Sequence, residues 1–212
     1  YYGGQAEFML EEGCLPQDID GAIYDLGLAM GPLAMGDLAG LDVSWRIRQG
    51  RGLPERLPEG ARYCGIPDLI CEKGRFGQKT GAGYYKYGKG DRTRYPDPEI
   101  EELIVSYSKE KGIQRRNISR EEIVERSMYA LINEGARILE EGIAQRASDI
   151  DIIYVYGYGF PAYLGGPMFY ADTVGLDTVY KRVCEFSAQD PASWQPAPLL
   201  KKLAEEGGKF NA

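Results

Sequence analysis

Apolar residues recur at intervals of three and four along most of this chain, and glycine or proline interrupts the pattern wherever a helix would end. Residues 5–12 predict a helix in which Phe8 and Met9 stand among Glu7, Glu11 and Glu12, stopped by Gly13. Pro16 opens the next helix, whose Ile19, Ile23 and Leu26 share a face before Gly27 closes it. Pro32 then suits a first turn. Leu33, Ala34, Leu38 and Leu41 supply an apolar face that Asp37 interrupts, and DVSWRIRQG is expected to continue this helix to Gly50. Residues 51–63 carry so much proline and glycine that a loop is expected.

PDLICEKG predicts a short helix ending at Gly74, and the aromatic, basic run from Phe76 to Pro98 reads as irregular, with extended backbone around Tyr84, Tyr85 and Tyr87. Ile100, Leu103, Ile104 and Tyr107 define another helix, linked through IQRRN to a longer one. Ser119 and Glu122 form a capping box for that helix, and Val124, Met128, Leu131, Gly135 and Leu139 trace its buried stripe towards Glu141. A mid-helix glycine costs about 1 kcal/mol against alanine, so Gly135 is expected where another backbone packs. ASDIDIIYVYGYGF begins as helix and breaks at Gly157, Gly159 and Pro161; two further helices are expected, Leu176 to Phe186 and near Pro198 to Glu206. Strand patterns are scarce, so the predicted class is all-α.

A long-range pattern overlies the local one. AEFMLEEGCLPQDID, from Ala6, matches ARILEEGIAQRASDID, from Ala136, and each gives an acidic helix end, a glycine stop and an Asp-Ile-Asp start (Asp18 to Asp20, Asp149 to Asp151). Each then reaches Gly-Pro (Gly31-Pro32, Gly166-Pro167), an aspartate five residues on (Asp37, Asp172), and Gly-Leu-Asp (Gly40 to Asp42, Gly175 to Asp177). A helical unit whose apolar face needs a partner has been duplicated. Gly40 and Gly175 are expected to let helices approach, and Asp37 and Asp172 to accept from nearby backbone donors, a structural role. The expected domains are a first repeat over 1–95, a helix and linker over 96–118, and a second repeat over 119–212.

Composition narrows the function. With 43% apolar and 27% charged residues in 212, the chain can fold around a core as one large domain or two small ones. A net charge of −7 excludes an extended nucleic-acid face, and no apolar run reaches the roughly 18 residues of a membrane span. Cys14, Cys64, Cys71 and Cys184 form no CxxC pair and read as free thiols; no metal site is expected. The chain contains no histidine, which removes the commonest general base near neutral pH. GYYKYGKG has Gly90 where a P-loop needs Ser or Thr, and GAGYYK has Lys86 where a dinucleotide fingerprint needs its third glycine, so neither is a phosphate cradle. The basic, aromatic run Lys79 to Arg94 is read as a surface loop, and the charge runs as solvated helix faces.

The series LEEG, DID and GPLAMGDLAGLDV, followed by GRFGQKTGAGYYKY, resembles the C-terminal domain of NAD-dependent 3-hydroxyacyl-CoA dehydrogenases. The second copy resembles the duplicated C-terminal domain of multifunctional fatty-acid β-oxidation proteins, in which an enoyl-CoA hydratase, a Rossmann dehydrogenase domain and two such repeats share one chain. The resemblance implies the all-α fold of the 6-phosphogluconate dehydrogenase C-terminal-domain type, with no Rossmann domain in this chain. It also implies that NAD and the family's serine, histidine, glutamate and asparagine belong to sequence before Tyr1. The chain would then hold no catalytic residue, and alone would neither bind NAD nor turn over.

What it would supply is a wall of the acyl-CoA pocket at Ala29, Met30, Gly31, Pro32 and Leu33, and a surface for assembly. The LAM before Gly31-Pro32 departs from the Phe-Pro-Met common in relatives. Single-repeat relatives dimerise through this domain, so the second copy is expected to replace a partner subunit, while a dimer stays open. The implied partners are a nucleotide-binding domain of the same protein and an acyl-CoA, with no nucleic acid and no membrane. The alternative is a non-catalytic helical interaction module. The opening lacks an initiator methionine and the end frays into small polar residues, so the C-terminal portion of a longer protein is expected. KFNA is no peroxisomal Ser-Lys-Leu signal, which points to a bacterial cytoplasm.

Overall fold

Most of the glycine and proline punctuation becomes an element boundary. The computed structural model describes residues 2–211, and among these there are eleven α-helices and one two-stranded ribbon. They gather into two compact units: one holds Gly3–Asp25 and Met30–Ile123, and the other holds Leu26–Ala29 with the residues from Val124 onward. No helix of the described residues is long and apolar enough to cross a membrane.

The first unit contains α1 (Tyr2–Glu12), α2 (Pro16–Asp25), α3 (Pro32–Ala39), α4 (Leu41–Gly50), α5 (Ile66–Glu72) and α6 (Pro98–Glu110). Proline in the first turn fixes the start of α3, α5 and α6. The core comes from Met9 and Leu10 of α1, Ile19 and Ile23 of α2, and Ile100 and Ile104 of α6, all fully buried. Between α5 and α6 the chain makes the ribbon β1 (Lys86–Tyr87) and β2 (Arg94–Tyr95), with Lys86 opposite Tyr95 and Tyr87 opposite Arg94.

The structure departs from the expected single helix from Pro32 to Gly50. Gly40 has φ +96° and ψ 113°, which ends α3 and begins α4. The inward face of α3 also differs. Leu38 is 52% exposed whereas Asp37 is fully buried, because the carboxylate has buried donors waiting for it and the leucine does not.

The second unit takes α7 (Arg120–Glu140) from Val124 onward, followed by α8 (Ala147–Gly157), α9 (Pro167–Val174), α10 (Leu176–Gln189) and α11 (Pro198–Glu206). Ser119 caps α7 as expected, its Oγ accepting from the Glu122 amide at 3.1 Å. The buried stripe of α7 is rotated from the predicted one: Met128, Ile132 and Ala136 are fully covered, while Val124, Leu131 and Leu139 are only partly so. A helix covered around most of its girth offers no single stripe for periodicity to find. At Gly135 the neighbour is a side chain rather than a backbone: an added Cβ would sit 2.5 Å from Met168 Sδ. Met168 with Ala147 and Ile150 forms the core against which Ile138, Leu139, Tyr154 and Phe210 pack. Asn133 holds the loop before α11, donating to Gln195 O and accepting from the Ala197 amide, both at 2.8 Å. All four cysteines are free, three of them buried and Cys184 half-buried.

Candidate functional site

Two aspartates organise the first unit. Asp20, in the second turn of α2, accepts from the amides of Leu33 (3.0 Å) and Ala34 (2.8 Å), the first turn of α3, and from Tyr85 Oη at 2.8 Å. It therefore supplies the start of α3 with the acceptor that Gly31, lacking a side chain, cannot. Gly31 is obligatory for that contact, since a Cβ there would lie 2.2 Å from Asp20 Oδ1. Asp37 accepts from the amides of Tyr84 (2.9 Å) and Tyr85 (3.1 Å) and from Tyr87 Oη (2.9 Å). These donors lie far along the chain, so Asp37 fastens the GAGYYKY segment to α3 rather than satisfying a local turn. Gly77 and Gly83 meet it from the other side, where a Cβ would come within 2.1 Å of Asp37 O and 1.9 Å of Asp37 Oδ1. Burial pushes Asp37 up to about 6, against the pull of its three donors, and raises Asp20 as well.

Beside this scaffold lies a cavity of about 150 Å³. Pro32, Leu33, Gly36, Leu41 and Tyr84 give it apolar walls, and Glu7, Ser44 and Arg48 give it polar ones. Leu41, Ser44 and Arg48 reach it together because spacings of three and four place them on one face of α4. Arg48 donates through Nε to Asp68 Oδ1 at 2.8 Å, and Tyr63 Oη donates to the other oxygen of the same carboxylate. Among the described residues no hydrogen bond reaches the carboxylate of Glu7. Burial drives its pKa up to about 7, with Arg48 opposing the shift and Asp68 adding to it.

Of the five residues expected to form a pocket wall, Pro32 and Leu33 line this cavity, Gly31 is buried against Asp20, Met30 is partly covered and Ala29 is exposed. Ala29 belongs to the second unit, where its amide donates to Gly159 O at 3.3 Å. Glu7, Ser44 and Arg48 were not anticipated. Their signal was the shared face of α4 and the i, i+4 pair of Gly3 and Glu7, both of which read as ordinary polar helix surface.

The second unit repeats the clamp. Asp151 Oδ1 accepts from the Met168 amide at 2.7 Å and Oδ2 from the Phe169 amide at 3.1 Å, at the start of α9. Asp172 accepts from the amides of Phe210 (2.8 Å) and Asn211 (3.0 Å) and from Asn211 Nδ2 (3.2 Å). Gly166, ahead of Pro167, has φ +106°, and a Cβ there would lie 2.4 Å from Asp151 Cβ. Gly175 has φ +100° and ψ 123° between α9 and α10, nearly the conformation of Gly40. Gly40 and Gly175 thus turn the chain between helices; their nearest side-chain neighbours are Lys79 and Asp42 in one case and Asp177 in the other. The copies differ at the third aspartate. Asp42 pairs with Lys79, whose hydrogen bond lowers its pKa, whereas Asp177 is exposed in the first turn of α10.

The family model of the 3-hydroxyacyl-CoA dehydrogenase C-terminal domain matches residues 1–87 and 123–211, the two copies just described. The chain belongs to this family. As a 3-hydroxyacyl-CoA dehydrogenase C-terminal domain it is 50% identical to a peroxisomal bifunctional enzyme of Danio rerio and 47% identical to that of Homo sapiens, each over 97% of this chain and 30% of the relative. It is 33% identical to a glyoxysomal fatty acid β-oxidation multifunctional protein of Brassica napus, over its whole length and 29% of that protein. The chain thus spans about 30% of the length of these relatives.

Among solved structures, it superposes on the dehydrogenase part of multifunctional enzyme 1 from C. elegans with a TM-score of 0.73 at 30% identity, covering 95% of this chain and 45% of that one. It shares its fold with 3-hydroxybutyryl-CoA dehydrogenase from Escherichia coli at a TM-score of 0.70 and 18% identity, covering 97% and 58%. The expectation of a bacterial cytoplasmic protein is overturned: these curated relatives come from animals and a plant and are named peroxisomal or glyoxysomal. Four residues of unmatched signal were too little to assign a compartment.

Proposed function

We propose that this chain serves an NAD-dependent 3-hydroxyacyl-CoA dehydrogenase of peroxisomal fatty-acid β-oxidation as acyl-pocket wall and assembly surface, with NAD and the proton-abstracting groups held by a nucleotide-binding domain of the same protein. The observation that carries this reading is the family match over both copies. The names of the relatives support the pathway and the compartment. Hydride transfer needs a water-poor wall beside the acyl group, and Pro32 and Leu33 are held rigidly for that purpose by the bonds of Asp20 to the first turn of α3. Leu38, Val43 and Ile47 leave an apolar face of the first unit open, and this is the surface we assign to the nucleotide-binding domain. Oxidation of the 3-hydroxyl requires a base, and a chain without histidine leaves that step to its partner domain.

The test compares two preparations with NAD and 3-hydroxyacyl-CoA, following NADH. The isolated chain is expected to show no turnover and no calorimetric NAD binding. The polypeptide that joins it to a nucleotide-binding domain is expected to turn over, and Met30→Trp in that context to shift the long-chain to short-chain ratio of kcat/KM. Turnover by the isolated chain would refute the division of labour. An unchanged ratio would remove Met30 from the wall.

A further inference from the structure

The connection between α2 and α3, Leu26–Ala29, gathers with the second unit, although both helices belong to the first. What holds it there is the corresponding connection of the other copy, between α8 and α9. Each runs from an Asp-Ile-Asp helix to a Gly-Pro, over residues 26–31 in one copy and 158–166 in the other. The longer connection makes a short 3₁₀ turn, Ala162–Leu164, and this turn carries Tyr163.

The two connections meet through backbone and side chain. Tyr163 Oη donates to Leu26 O at 2.8 Å, and the Ala29 amide donates to Gly159 O at 3.3 Å. Glycine on each side permits the approach. A Cβ at Gly27 would lie 2.7 Å from Tyr163 Oη and 3.2 Å from Pro161 Cβ, and one at Gly159 would lie 2.9 Å from Ala29 Cβ. Leu28, between the two bonds, is buried. The holder is itself fixed: Phe160 is buried edge-on to Tyr170 at 6.5 Å, and its amide donates to Tyr154 O at 3.0 Å.

Met30 follows Ala29 directly, so the proposed acyl wall hangs between two anchors. At one end Asp20 accepts from the Leu33 and Ala34 amides, and at the other the connection 158–166 takes Leu26 and Ala29. A short segment fixed at both ends keeps few conformations, so a shift of either anchor moves Met30. We propose that Tyr163 is a positioning residue for the acyl wall: with Gly159 it holds the strap that sets where Met30 stands, and so gives the second copy a part in selecting the acyl chain. This rests on the acyl-wall reading given above. It accounts for an asymmetry of the repeat, in which the connection read as wall is the short one and the connection that grips it is the long one.

The test removes the Tyr163 hydroxyl alone. In the whole chain, Tyr163→Phe is expected to speed hydrogen exchange of the Ala29 amide by about twofold to fivefold, as the loss of one solvent-reachable hydrogen bond would, with melting unchanged. In the polypeptide joined to a nucleotide-binding domain, the same variant is expected to raise KM for 3-hydroxydecanoyl-CoA by a similar factor. There kcat and the KM for NAD should hold, and 3-hydroxybutyryl-CoA should be affected less. Tyr156→Phe, at an exposed tyrosine of α8, is the control and should move neither measurement. Unchanged exchange at Ala29 overturns the proposal, because Tyr163 then does not hold the strap. Faster exchange with an unchanged KM also overturns it, leaving Tyr163 a structural contact, as does a joint fall of kcat, NAD affinity and melting temperature. No turnover by the unsubstituted joined polypeptide would refute the dehydrogenase reading and the kinetic half of the proposal with it, and the exchange measurement would still decide whether Tyr163 holds the strap.

Discussion

Glu7→Gln should stabilise the first unit, and only above about pH 5. The carboxyl of Glu7 faces the cavity and meets no hydrogen-bond donor among the described residues, and burial lifts its pKa from 4.5 to about 7. A carboxyl raised on folding binds its proton more tightly in the native state than in the unfolded one. Its contribution is therefore complete below pH 4.5 and is lost as pH rises through 7. The difference of roughly 2.5 units, at about 1.36 kcal/mol each, sets a ceiling between about 3 and 4 kcal/mol. Glu7 is partly open to solvent, and screening reduces the expected gain to about 1–3 kcal/mol at pH 8. Glutamine keeps the shape and cannot ionise, so the two proteins should be nearly equal at pH 4.5 and diverge to pH 8.

Trp45, on α4 against Phe76 at 6.2 Å, reports this unit by fluorescence once Trp194, the other tryptophan, is replaced by phenylalanine. Urea midpoints of both proteins at intervals from pH 4.5 to 8, with constant m, give the difference curve. A flat curve would show that Glu7 is not displaced from its ordinary value. A variant less stable at pH 8 would show that Arg48 stabilises the carboxylate more than burial penalises it.

Other consequences can be checked by the same unfolding measurements. Asp37→Asn should cost about 2–4 kcal/mol, because two backbone donors and Tyr87 lose a charged acceptor, while Asp172→Asn, partly exposed, should cost about half as much. Gly31→Ala, with a Cβ 2.2 Å from Asp20 Oδ1, should cost about 2–4 kcal/mol, and a cost below 0.5 would show that Asp20 can yield. Gly135→Ala should destabilise the second unit by about 1–3 kcal/mol, and Met168→Ala in the same chain should recover part of it, giving a double-mutant coupling of about 1 kcal/mol. Arg75→Met should cost about 1–3 kcal/mol, because the buried Asp97 loses Arg75 at 2.5 Å but keeps Lys86 at 2.9 Å and the Glu99 amide.

Element type and order were legible because helices here are amphipathic and end at glycine or proline; α11 falls on Pro198–Glu206 as its spacing predicts. Faces were harder to read. Leu38 looked buried because it is leucine, and Asp37 looked like an interruption because it is charged, yet their places are exchanged. Periodicity ranks residues by apolarity and is blind to a donor pair that arrives from Tyr84 and Tyr85, far along the chain. The same blindness hid the cavity: Glu7 and Arg48 are polar residues on helices, and only the packing of α1 against α4 and α5 turns them towards an enclosed space. The letters of the repeat, by contrast, stand out in the sequence, because a clamp of two aspartates and two glycines tolerates few substitutes.

That durability separates what the duplication preserved from what it released. Asp20 and Asp151 each hold the start of a helix, and Asp37 and Asp172 each hold a distant backbone segment; all four are set among amides that only a carboxylate of that length can reach. Asp42 and Asp177 occupy matching places in the sequence, but Asp42 is buried and paired with Lys79 while Asp177 is exposed to solvent. Residues tied into the clamp are thus constrained by many bonds at once, and a single loss leaves buried donors unmet. Residues outside it carry no such set of bonds, so the two copies share a skeleton while their outer surfaces differ.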